Sequence, residues 1–533
     1  MPAAPLSRRA AARLAPLGAV GVRWSASAAV AVHRSPQAPL YPRNIAEYPN
    51  VIAHLGVGGF HRSHQAMYLH ELLEAKGKEA GWALCGVGLM PGDADMKQKL
   101  AAQDFLYTVL SQGNSGLSAT VVGSIMDFIL VPEDPFGSVE RLAAPEVKIV
   151  SMTVTEKGYC LSVDGILDLK NKLVEAELPV GAPPKSAWGV IYAALALRVR
   201  RRVAPFTIMS CDNMPGNGSL AQRTLFEFSS AKAMAGDVFA GEVSELITTG
   251  AVTFPSTMVD RITPATEQAH KDLIATRFGI QDNWPVVAED FKQWVIEDNF
   301  SDGRPAWETV PNTLLVPGED VHVYESMKLR LLNGSHSAMS YVSYLAGHRT
   351  VALAMADPKV LGFVATFLDE VLPTVIQAPG VDLGAYRNKL LDRFSNPHIE
   401  DTLLRLAEDG SQKLQTTMRP VLLDHFSAHN EFPAMATAIG GWIRFMTGID
   451  EAGDSILGIK DPAGGERLKE LAIGVVADPN EVTVGLLLHE YFGEEVACHP
   501  GPRAAATKSI AQAVRDINDR GMVHVLQGFS GKR

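Results

Sequence analysis

Cysteine, long apolar runs and blocks of like charge are all scarce in this 533-residue sequence. The four cysteines, Cys85, Cys160, Cys211 and Cys498, are scattered and form no C-x-x-C pair, so neither a disulfide framework nor a zinc–thiolate site is expected. No uncharged apolar run approaches the roughly 18 residues of a membrane-spanning helix. The net charge of −11 is not concentrated in any long run. We therefore expect neither a nucleic-acid nor a membrane partner.

Acidic residues are absent from residues 1–46, which are rich in alanine and contain six arginines. The arginines are Arg8, Arg9, Arg13, Arg23, Arg34 and Arg43. This composition is typical of an organelle transit peptide and predicts a location in the mitochondrion or another organelle. The alternative is a disordered, alanine-rich tail on a cytoplasmic protein. Residues 1–46 therefore carry no fold prediction.

Strand and helix patterns alternate after this segment. Short β-rich runs at residues 51–55, 82–89, 147–154 and 205–211 are separated by helical patterns. Such alternation predicts a parallel sheet covered by helices. We assign this first domain to residues 47–316.

The pattern changes at about residue 320, where long segments with the helical period begin. The predicted helices span residues 325–346, 358–378, 390–407, 432–447 and 466–477. The stretch 310–319, which contains Pro311 and Pro317, is the expected junction. We predict a second, mainly helical domain over residues 317–533.

A glycine-rich turn follows the first predicted strand and opens a helix. Its pattern, Gly56-x-Gly58-x-x-His61, has two of the three glycines of a dinucleotide-binding loop. Backbone N–H groups and the helix dipole could meet a pyrophosphate here. The candidate cofactor-binding residues of this turn are Gly56, Val57, Gly58, Gly59, Phe60 and His61. After the second predicted strand, Asp93 could bind the ribose hydroxyls of NAD and would repel a 2′-phosphate, with Asp95 as the alternative.

A lysine, an asparagine and a histidine are spaced as Lys328-x4-Asn333-x2-His336. On an α-helix, at about 100° per residue, these three residues and Glu325 fall within an arc of roughly 140°. A base, an amide donor and an imidazole would then face one space, as oxidation of an alcohol without a metal requires. The alternative is a solvated helix face that ends at the turn-forming pair Asn333-Gly334.

Four further polar residues are candidates for ligand contacts. Asn213 follows the fourth predicted strand, where open α/β sheets bind ligands, although it could simply cap a turn. Asp260 is either a substrate or nicotinamide contact or the partner of Arg261 in a structural ion pair. Taken alone, Arg405 and Lys413 are interpreted as surface charge.

Two histidine pairs have helical spacing and could suggest a metal site. They are His61 with His64 and His425 with His429. Neither pair has a third ligand nearby in the sequence, and Arg62 at a helix N-terminus disfavours a cation beside the first. No metal is expected.

Five segments, taken together and in this order, resemble the polyol-specific long-chain dehydrogenases, the mannitol dehydrogenase family. They are Gly56-Val-Gly-Gly-Phe-His-Arg-Ser-His64, Thr155-Glu-Lys-Gly-Tyr-Cys160, Ser210-Cys-Asp-Asn213, Met258-Val-Asp-Arg-Ile-Thr-Pro264 and Lys328-x4-Asn333-x2-His336. The resemblance extends over roughly residues 45–510 and leaves out residues 1–40. The combination is specific although each motif alone is not, and residues 214–255 are longer than the family leads us to expect.

The resemblance implies a Rossmann-like N-terminal domain and a mainly α-helical C-terminal domain, a 6-phosphogluconate dehydrogenase-like α/β fold. It implies a metal-free oxidoreductase that uses NAD on a polyol or ketose. Lys328 is then implied to be the general base, with Asn213 and Asn333 as amide donors to the reacting oxygen and Glu325 passing the proton to solvent. The residues implied to hold the substrate are His336, Asp260, Arg405 and Lys413.

The expected reaction is the reversible oxidation of D-mannitol at C2 to D-fructose with NAD⁺, carried out by a monomer. One alternative is the oxidation of another polyol, as by other dehydrogenases of the same family. A second is reduction of a sugar acid such as fructuronate, whose carboxylate would call for an additional cation. A remote alternative is a nucleotide-sensing module without catalysis, against which the complete Lys, Asn, Asn and His set argues.

Overall fold

The computed structural model describes residues 37–531 except residues 115, 163, 400, 429 and 499–501. The chain divides into two compact units between His322 and Val323. Every strand in the described part of the chain lies in the first unit. The strands are β1 (Asn50–Leu55), β2 (Trp82–Gly88), β3 (Tyr107–Gly113), β4 (Gly116–Val122), β5 (Ile125–Leu130), β6 (Val147–Met152), β7 (Thr207–Ser210), β8 (Thr257–Asp260), β9 (Val286–Glu289), β10 (Gln293–Glu297) and β11 (Thr313–Val316).

The first unit also contains ten α-helices and three short 3₁₀ helices among its described residues. The α-helices are α1 (Gly59–Ser63), α2 (Gln65–Lys76), α3 (Asp93–Ala101), α4 (Pro135–Leu142), α5 (Thr155–Gly158), α6 (Lys172–Glu177), α7 (Ala187–Arg201), α8 (Asn217–Met234), α9 (Ala240–Thr248) and α10 (Gln268–Phe278). The 3₁₀ helices are Ile45–Glu47, Gly77–Ala80 and Trp307–Thr309.

Five parallel strands form the main sheet in the order β5-β2-β1-β6-β7. The central strand β1 pairs on one side with β2, where Leu55 lies opposite Val87, and on the other with β6, where Leu55 lies opposite Met152. The carboxyl ends of β1, β2 and β6 therefore lie side by side. Because the chain passes from β1 to β2 and later returns to the other side of β1, a topological switch point lies at that edge.

Helices cover both faces of the main sheet. Val51 and Val150 belong to the apolar core under α4, α7 and α8, whereas Ile52 and Leu84 belong to the core under α2 and α3. Strands buried on both faces are typical of parallel sheets covered by crossover helices. The predicted Rossmann-like sheet is confirmed, and the four predicted strands correspond to β1, β2, β6 and β7.

The remaining seven strands were not predicted. Strand β5 completes the main sheet, and two three-stranded sheets have the orders β11-β10-β8 and β4-β3-β9. The run Ile125–Leu130 is short and apolar except for Asp127, and periodicity alone does not distinguish such a run from a buried helix segment.

The second unit is helical. Helix α11 (Gly318–Lys328) begins before the division and is followed by a π-helical turn, Leu329–Asn333. The later helices are α12 (Gly334–Leu345), α13 (Val351–Met355), α14 (Pro358–Val371), α15 (Leu383–Phe394), α16 (Leu403–Ala407), α17 (Gly410–Thr417), α18 (Arg419–Ala428), α19 (Pro433–Met446), α20 (Gly465–Ala477), α21 (Glu481–Phe492), α22 (Glu494–Cys498), α23 (Pro502–Arg520) and α24 (Met522–Gln527), with a 3₁₀ turn at Leu372–Thr374. None of the described helices is both long and apolar enough to cross a membrane.

The predicted helix over residues 390–407 was wrong. Helix α15 ends at Phe394, and Pro397 follows three residues later, where it disfavours the helical conformation of the residue before it. A new helix starts at Leu403 because the Thr402 hydroxyl accepts a hydrogen bond from the Arg405 N–H, at 3.3 Å.

The last residues of the N-terminal segment pack against the first unit. The Tyr41 hydroxyl lies 2.8 Å from His70 Nδ1, and Arg43 Nε donates to the carbonyl of Gly123 at 3.1 Å. Tyr41 is buried, with 5% of its surface exposed. Residues 1–36 lie outside the described residues, and the transit peptide stays a prediction.

Candidate active site

The glycine turn lies at the carboxyl end of β1. Gly56 has φ +91°, and a Cβ atom there would lie 2.3 Å from the carbonyl oxygen of Thr153, so only glycine lets the turn pass this close to the end of β6. Gly58 caps α1, and a Cβ built on it would meet no atom within 4 Å. Open space beside a glycine at a helix N-terminus fits the pyrophosphate of a dinucleotide. These residues therefore fit NAD.

The third position of the glycine pattern is filled by His61, whose ring stacks on that of His54 in β1. Both ring nitrogens of His54 are hydrogen-bonded to hydroxyl groups, Nδ1 to Ser151 Oγ at 2.8 Å and Nε2 to Thr153 Oγ1 at 2.9 Å. The Thr153 hydroxyl donates in turn to the carbonyl of Gly56, at 2.8 Å. An aromatic stack thus replaces the close helix–strand approach that a third glycine would allow, and side chains of β1 and β6 hold the turn.

The two candidate ribose ligands differ in their surroundings. Asp93 is the first residue of α3 and accepts a hydrogen bond from the Met90 N–H at 2.9 Å, against the end of β2. Asp95 is exposed and forms an ion pair with Lys99 at 2.7 Å. The position of Asp93 at the sheet edge favours it over Asp95 as the ribose ligand.

Asp212 joins the loops that follow β6 and β7. Its carboxylate accepts hydrogen bonds from the backbone N–H groups of Thr155, at 2.8 Å, and Val154, at 3.2 Å, and from the Tyr159 hydroxyl at 3.3 Å. Burial raises the pKa of Asp212, and the two backbone N–H donors oppose that shift. Because the exposed Asn213 is the next residue, this buried carboxylate fixes the backbone of a candidate oxyanion donor.

Asn217 joins the same loop to β8. Its amide donates to the carbonyls of Asp212, at 2.9 Å, and Thr257, at 2.8 Å, and accepts from the Thr257 N–H at 2.9 Å. Three residues further along β8 is the buried Asp260. The structure therefore links Asn213 and Asp260 through Asp212 and Asn217, which we did not predict. The sequence contained a signal for this link, since Asp212 and Asn217 both lie in the polar run after β7.

The Lys328–His336 segment does not end in a turn. The helix continues through Leu329–Asn333 as a π-helix, in which the Gly334 N–H donates to the carbonyl of Leu329 five residues earlier, and Gly334 has a helical φ of −60°. Lys328 is 6% exposed. The alternative of a solvated helix face ending at Asn333-Gly334 was therefore wrong.

The π-turn also changes the arc of the candidate residues. Side chains five apart on an α-helix differ by roughly 140° in direction. In a π-turn the hydrogen bond itself spans five residues, so Lys328 and Asn333 come close to one face. Asn333 Oδ1 is buried and has no hydrogen-bond partner among the residues that the structure describes, and the ring of His336 lies 4.6 Å from that of Phe394.

Arg405 and Lys413 lie on α16 and α17, and these helices pack against α12 and the π-turn respectively. Arg405 is paired with the buried Asp401 through both Nε, at 2.6 Å, and Nη2. Lys413 donates to the carbonyl of Leu406 at 3.3 Å, and burial lowers its pKa, with Arg405 acting in the same direction. The second unit thus brings the helices of these two cations against the elements that carry Asn333 and His336.

In the described part of the chain, no three or more His, Cys, Asp and Glu side chains group as metal ligands. His64 Nε2 instead bonds the carbonyl of Gln293 at 3.0 Å. His425 is buried against Phe432, and His429 lies outside the described residues. Arg261 donates to the carbonyls of Ser63 and Glu289 and to the Ser111 hydroxyl, and these bonds join β8 to neighbouring elements of the first unit.

The sequence matches two family profiles. The mannitol dehydrogenase Rossmann domain matches residues 50–309, and the mannitol dehydrogenase C-terminal domain matches residues 320–514. The chain belongs to the mannitol dehydrogenase family. The resemblance inferred from the five motifs is thereby confirmed.

Relatives in this family extend over nearly the whole chain. A mannitol 2-dehydrogenase of Pyricularia oryzae is 36% identical over 501 residues, 93% of this chain and 96% of that protein. The structure of Pseudomonas fluorescens mannitol 2-dehydrogenase in a ternary complex with NAD and D-mannitol is 35% identical, with a TM-score of 0.76 over 93% of this chain and 96% of that one. A substrate-free D-sorbitol dehydrogenase is 31% identical, with a TM-score of 0.82 over 92% of this chain and 97% of that one.

Proposed function

We propose that this protein oxidises D-mannitol at C2 to D-fructose, reversibly and with NAD⁺. The enzyme is an NAD-dependent polyol dehydrogenase, as expected from its family. The observation that carries the choice of mannitol is the 35% identity, over 93% of the chain, to an enzyme whose structure holds NAD and D-mannitol. The buried Lys328 on a helix with Asn333 and His336 supplies the chemistry that such a reaction requires.

The glycine turn and Asp93 would hold NAD. Backbone N–H groups at the start of α1 would donate to the pyrophosphate in the open space beside Gly58, and the Asp93 carboxylate would accept from the ribose hydroxyls. When bound, NAD⁺ supplies the acceptor for the hydride.

Lys328 is proposed to take the proton from the substrate hydroxyl. It must be a neutral amine at that moment, and partial burial favours the neutral form. Asn213 and Asn333 donate to the oxygen as negative charge develops, an interaction typically worth about 3 kcal/mol for each donor. Glu325, three residues before Lys328 on the same helix, passes the proton on to solvent.

His336, Asp260, Arg405 and Lys413 are proposed to bind the hydroxyl groups of the substrate. The pairing of Arg405 with Asp401 favours a neutral polyol over a sugar acid, because a guanidinium already neutralised by a carboxylate gains less from a second one. This observation argues against fructuronate. We further propose that the protein is a monomer and that it is located in an organelle. The proposed location rests on the composition of the N-terminal segment alone.

D-Sorbitol is the second candidate substrate, since the chain is also similar to a D-sorbitol dehydrogenase. Initial rates with mannitol, sorbitol, fructose and fructuronate, each with NAD(H) and NADP(H), test the proposal. We expect the highest kcat/KM for mannitol and fructose with NAD(H). A higher kcat/KM for sorbitol or fructuronate would change the substrate. No change in NADH with any of the four would leave another polyol of the family or the nucleotide-sensing module as the alternatives.

A further inference from the structure

The π-turn between Lys328 and Asn333 requires support, because a wider turn gives up the regular i→i−4 hydrogen bonds of the α-helix. Gly334 bonds the carbonyls of Leu329 and Leu331, five and three residues back, rather than the one four residues back. A Cβ atom built on Gly334 would lie 3.6 Å from the Leu329 carbonyl oxygen, which is an ordinary contact distance. The space at this position therefore does not require glycine, and the π-turn has another cause. The support must come from other side chains.

The Ser335 hydroxyl is the first support. It is fully buried and donates to the carbonyls of Leu331, at 2.5 Å, and Leu332, at 3.0 Å, both inside the π-turn. The Leu331 carbonyl also accepts from the Gly334 N–H, so the hydroxyl adds a side-chain bond to the backbone bonds of the turn. A serine hydroxyl that bonds the carbonyl four residues back bends a helix away from regular geometry, and this favours the π-turn over a regular helical turn.

Arg330 is the second support and lies within the turn itself. Its Nη1 donates both to the carbonyl of Thr374, after α14, and to the carboxylate of Asp424 on α18. The side chain of Arg330 is 17% exposed and that of Asp424 is 48% exposed. One guanidinium therefore anchors the turn to two neighbouring elements of the second unit.

We propose that Ser335 and Arg330 are positioning residues, which hold the π-turn so that the Lys328 amine and the Asn333 amide face the reacting alcohol together. This inference rests on the proposed function of Lys328 and Asn333. It assigns the five-residue spacing of the Lys-x4-Asn motif to a π-turn, which brings the two side chains closer together than the roughly 140° between them on a regular α-helix. Loss of either support should lower kcat more than it weakens binding, since a displacement of about 1 Å in a catalytic group can cost on the order of 10²-fold in rate.

Ser335→Ala tests the first support, with Ser340→Ala as the matched control. Ser340 is equally buried on the same helix, and its hydroxyl donates to the Ser337 carbonyl at 2.8 Å, away from the π-turn. We expect kcat to fall at least about tenfold in Ser335→Ala, with the Kd for NADH unchanged, and to stay near wild type in Ser340→Ala. Ser335→Thr, which keeps the hydroxyl, should restore most of the rate.

Arg330→Met tests the second support, with Arg387→Met as the control. Arg387 is a similarly covered arginine of the second unit that pairs with Asp369, with side-chain exposures of 11% and 55%. We expect Arg330→Met to lower kcat at least about tenfold and Arg330→Lys to recover part of it. The proposal is overturned if the test and control variants lose kcat equally, or if only their melting temperatures change. Absence of polyol-dependent NADH formation in the wild type would instead refute the proposed function.

Discussion

The imidazole of His61 lies flat on that of His54, with 3.4 Å between ring centroids and 10° between ring planes. Burial lowers the pKa of His54 to about 3 and lowers that of His61 well below its usual range, and the neighbouring His54 and Arg62 add to the shift at His61. Two charged imidazoles could not share this contact. The packing of α1 on β1 therefore disfavours protonation of either ring.

Acid should destabilise the first unit through this pair and through His64 and His70, whose pKa values burial lowers to about 3 and about 4. In the unfolded chain these histidines bind protons below their ordinary pKa of about 6.5, whereas in the folded chain they stay neutral. Their contribution to stability is therefore complete above that pH and falls progressively below it. We expect the free energy of unfolding to fall by about 1.4 kcal/mol per pH unit for each such histidine. Thermal unfolding between pH 7 and 5 measures this slope. His54→Gln should reduce it, and the same change at the exposed His524 should not.

The two glycines of the turn should respond differently to alanine. Gly56→Ala places a methyl group 2.3 Å from the Thr153 carbonyl oxygen at φ +91°, so we expect a loss of about 1–3 kcal/mol in stability. Gly58→Ala meets no atom within 4 Å and should keep the wild-type melting temperature, yet lose NADH affinity because its methyl group enters the pyrophosphate space. Melting curves and NADH titrations separate the two effects. Wild-type NADH affinity in Gly58→Ala would place the pyrophosphate elsewhere.

Asp93 should make the enzyme prefer NAD over NADP. Its carboxylate stands at the end of β2, where a 2′-phosphate would meet a negative charge instead of the guanidinium that normally repays its desolvation. Asp93→Ala should weaken NAD binding and narrow the ratio of kcat/KM between the cofactors, whereas Asp95→Ala should change neither. Equal use of both cofactors by the wild type contradicts the assignment.

Asp212→Asn should lower turnover as well as stability, because the new amide cannot accept from both the Val154 and Thr155 N–H groups that hold the loop beside Asn213. Asp282 is the matched control: it is also buried and accepts from the N–H groups of Thr108 and Trp284. Both variants should lose about 1–3 kcal/mol of stability. Only Asp212→Asn should lower kcat, and equal kcat in the two would limit Asp212 to a structural role.

Local patterns in the sequence were sufficient to predict the main sheet and the glycine turn. A strand such as β1 followed by Gly56-x-Gly58 has both a periodic apolar signature and a turn signature, and each can be recognised without knowledge of the partner strands. Strand β5 has only a short, mostly apolar run with no turn signature beside it, and its assignment depends on its pairing with β2, which is a long-range contact.

The candidate site was predicted by residue type but not by geometry. Patterns at 100° per residue assume a regular α-helix, so the π-turn after Lys328 could not be recognised from them. Asp212 and Asn217 could be singled out in the sequence as part of a polar run, but the support that they and Ser335 give depends on bonds to backbone groups, whose positions the residue types do not reveal. Whether Lys328 and its neighbours have the assigned roles stays a prediction.

The most direct test of the central claim is the initial rate of NADH formation from NAD⁺ and D-mannitol by wild type and Lys328→Ala at neutral pH. If Lys328 is the base, the variant should bind NADH normally and lose on the order of 10²–10⁴-fold in kcat, the usual contribution of a positioned base. A small added amine should restore part of the rate. A variant that keeps more than about a tenth of the wild-type kcat would contradict the assignment, because that loss is far below what removal of a general base causes.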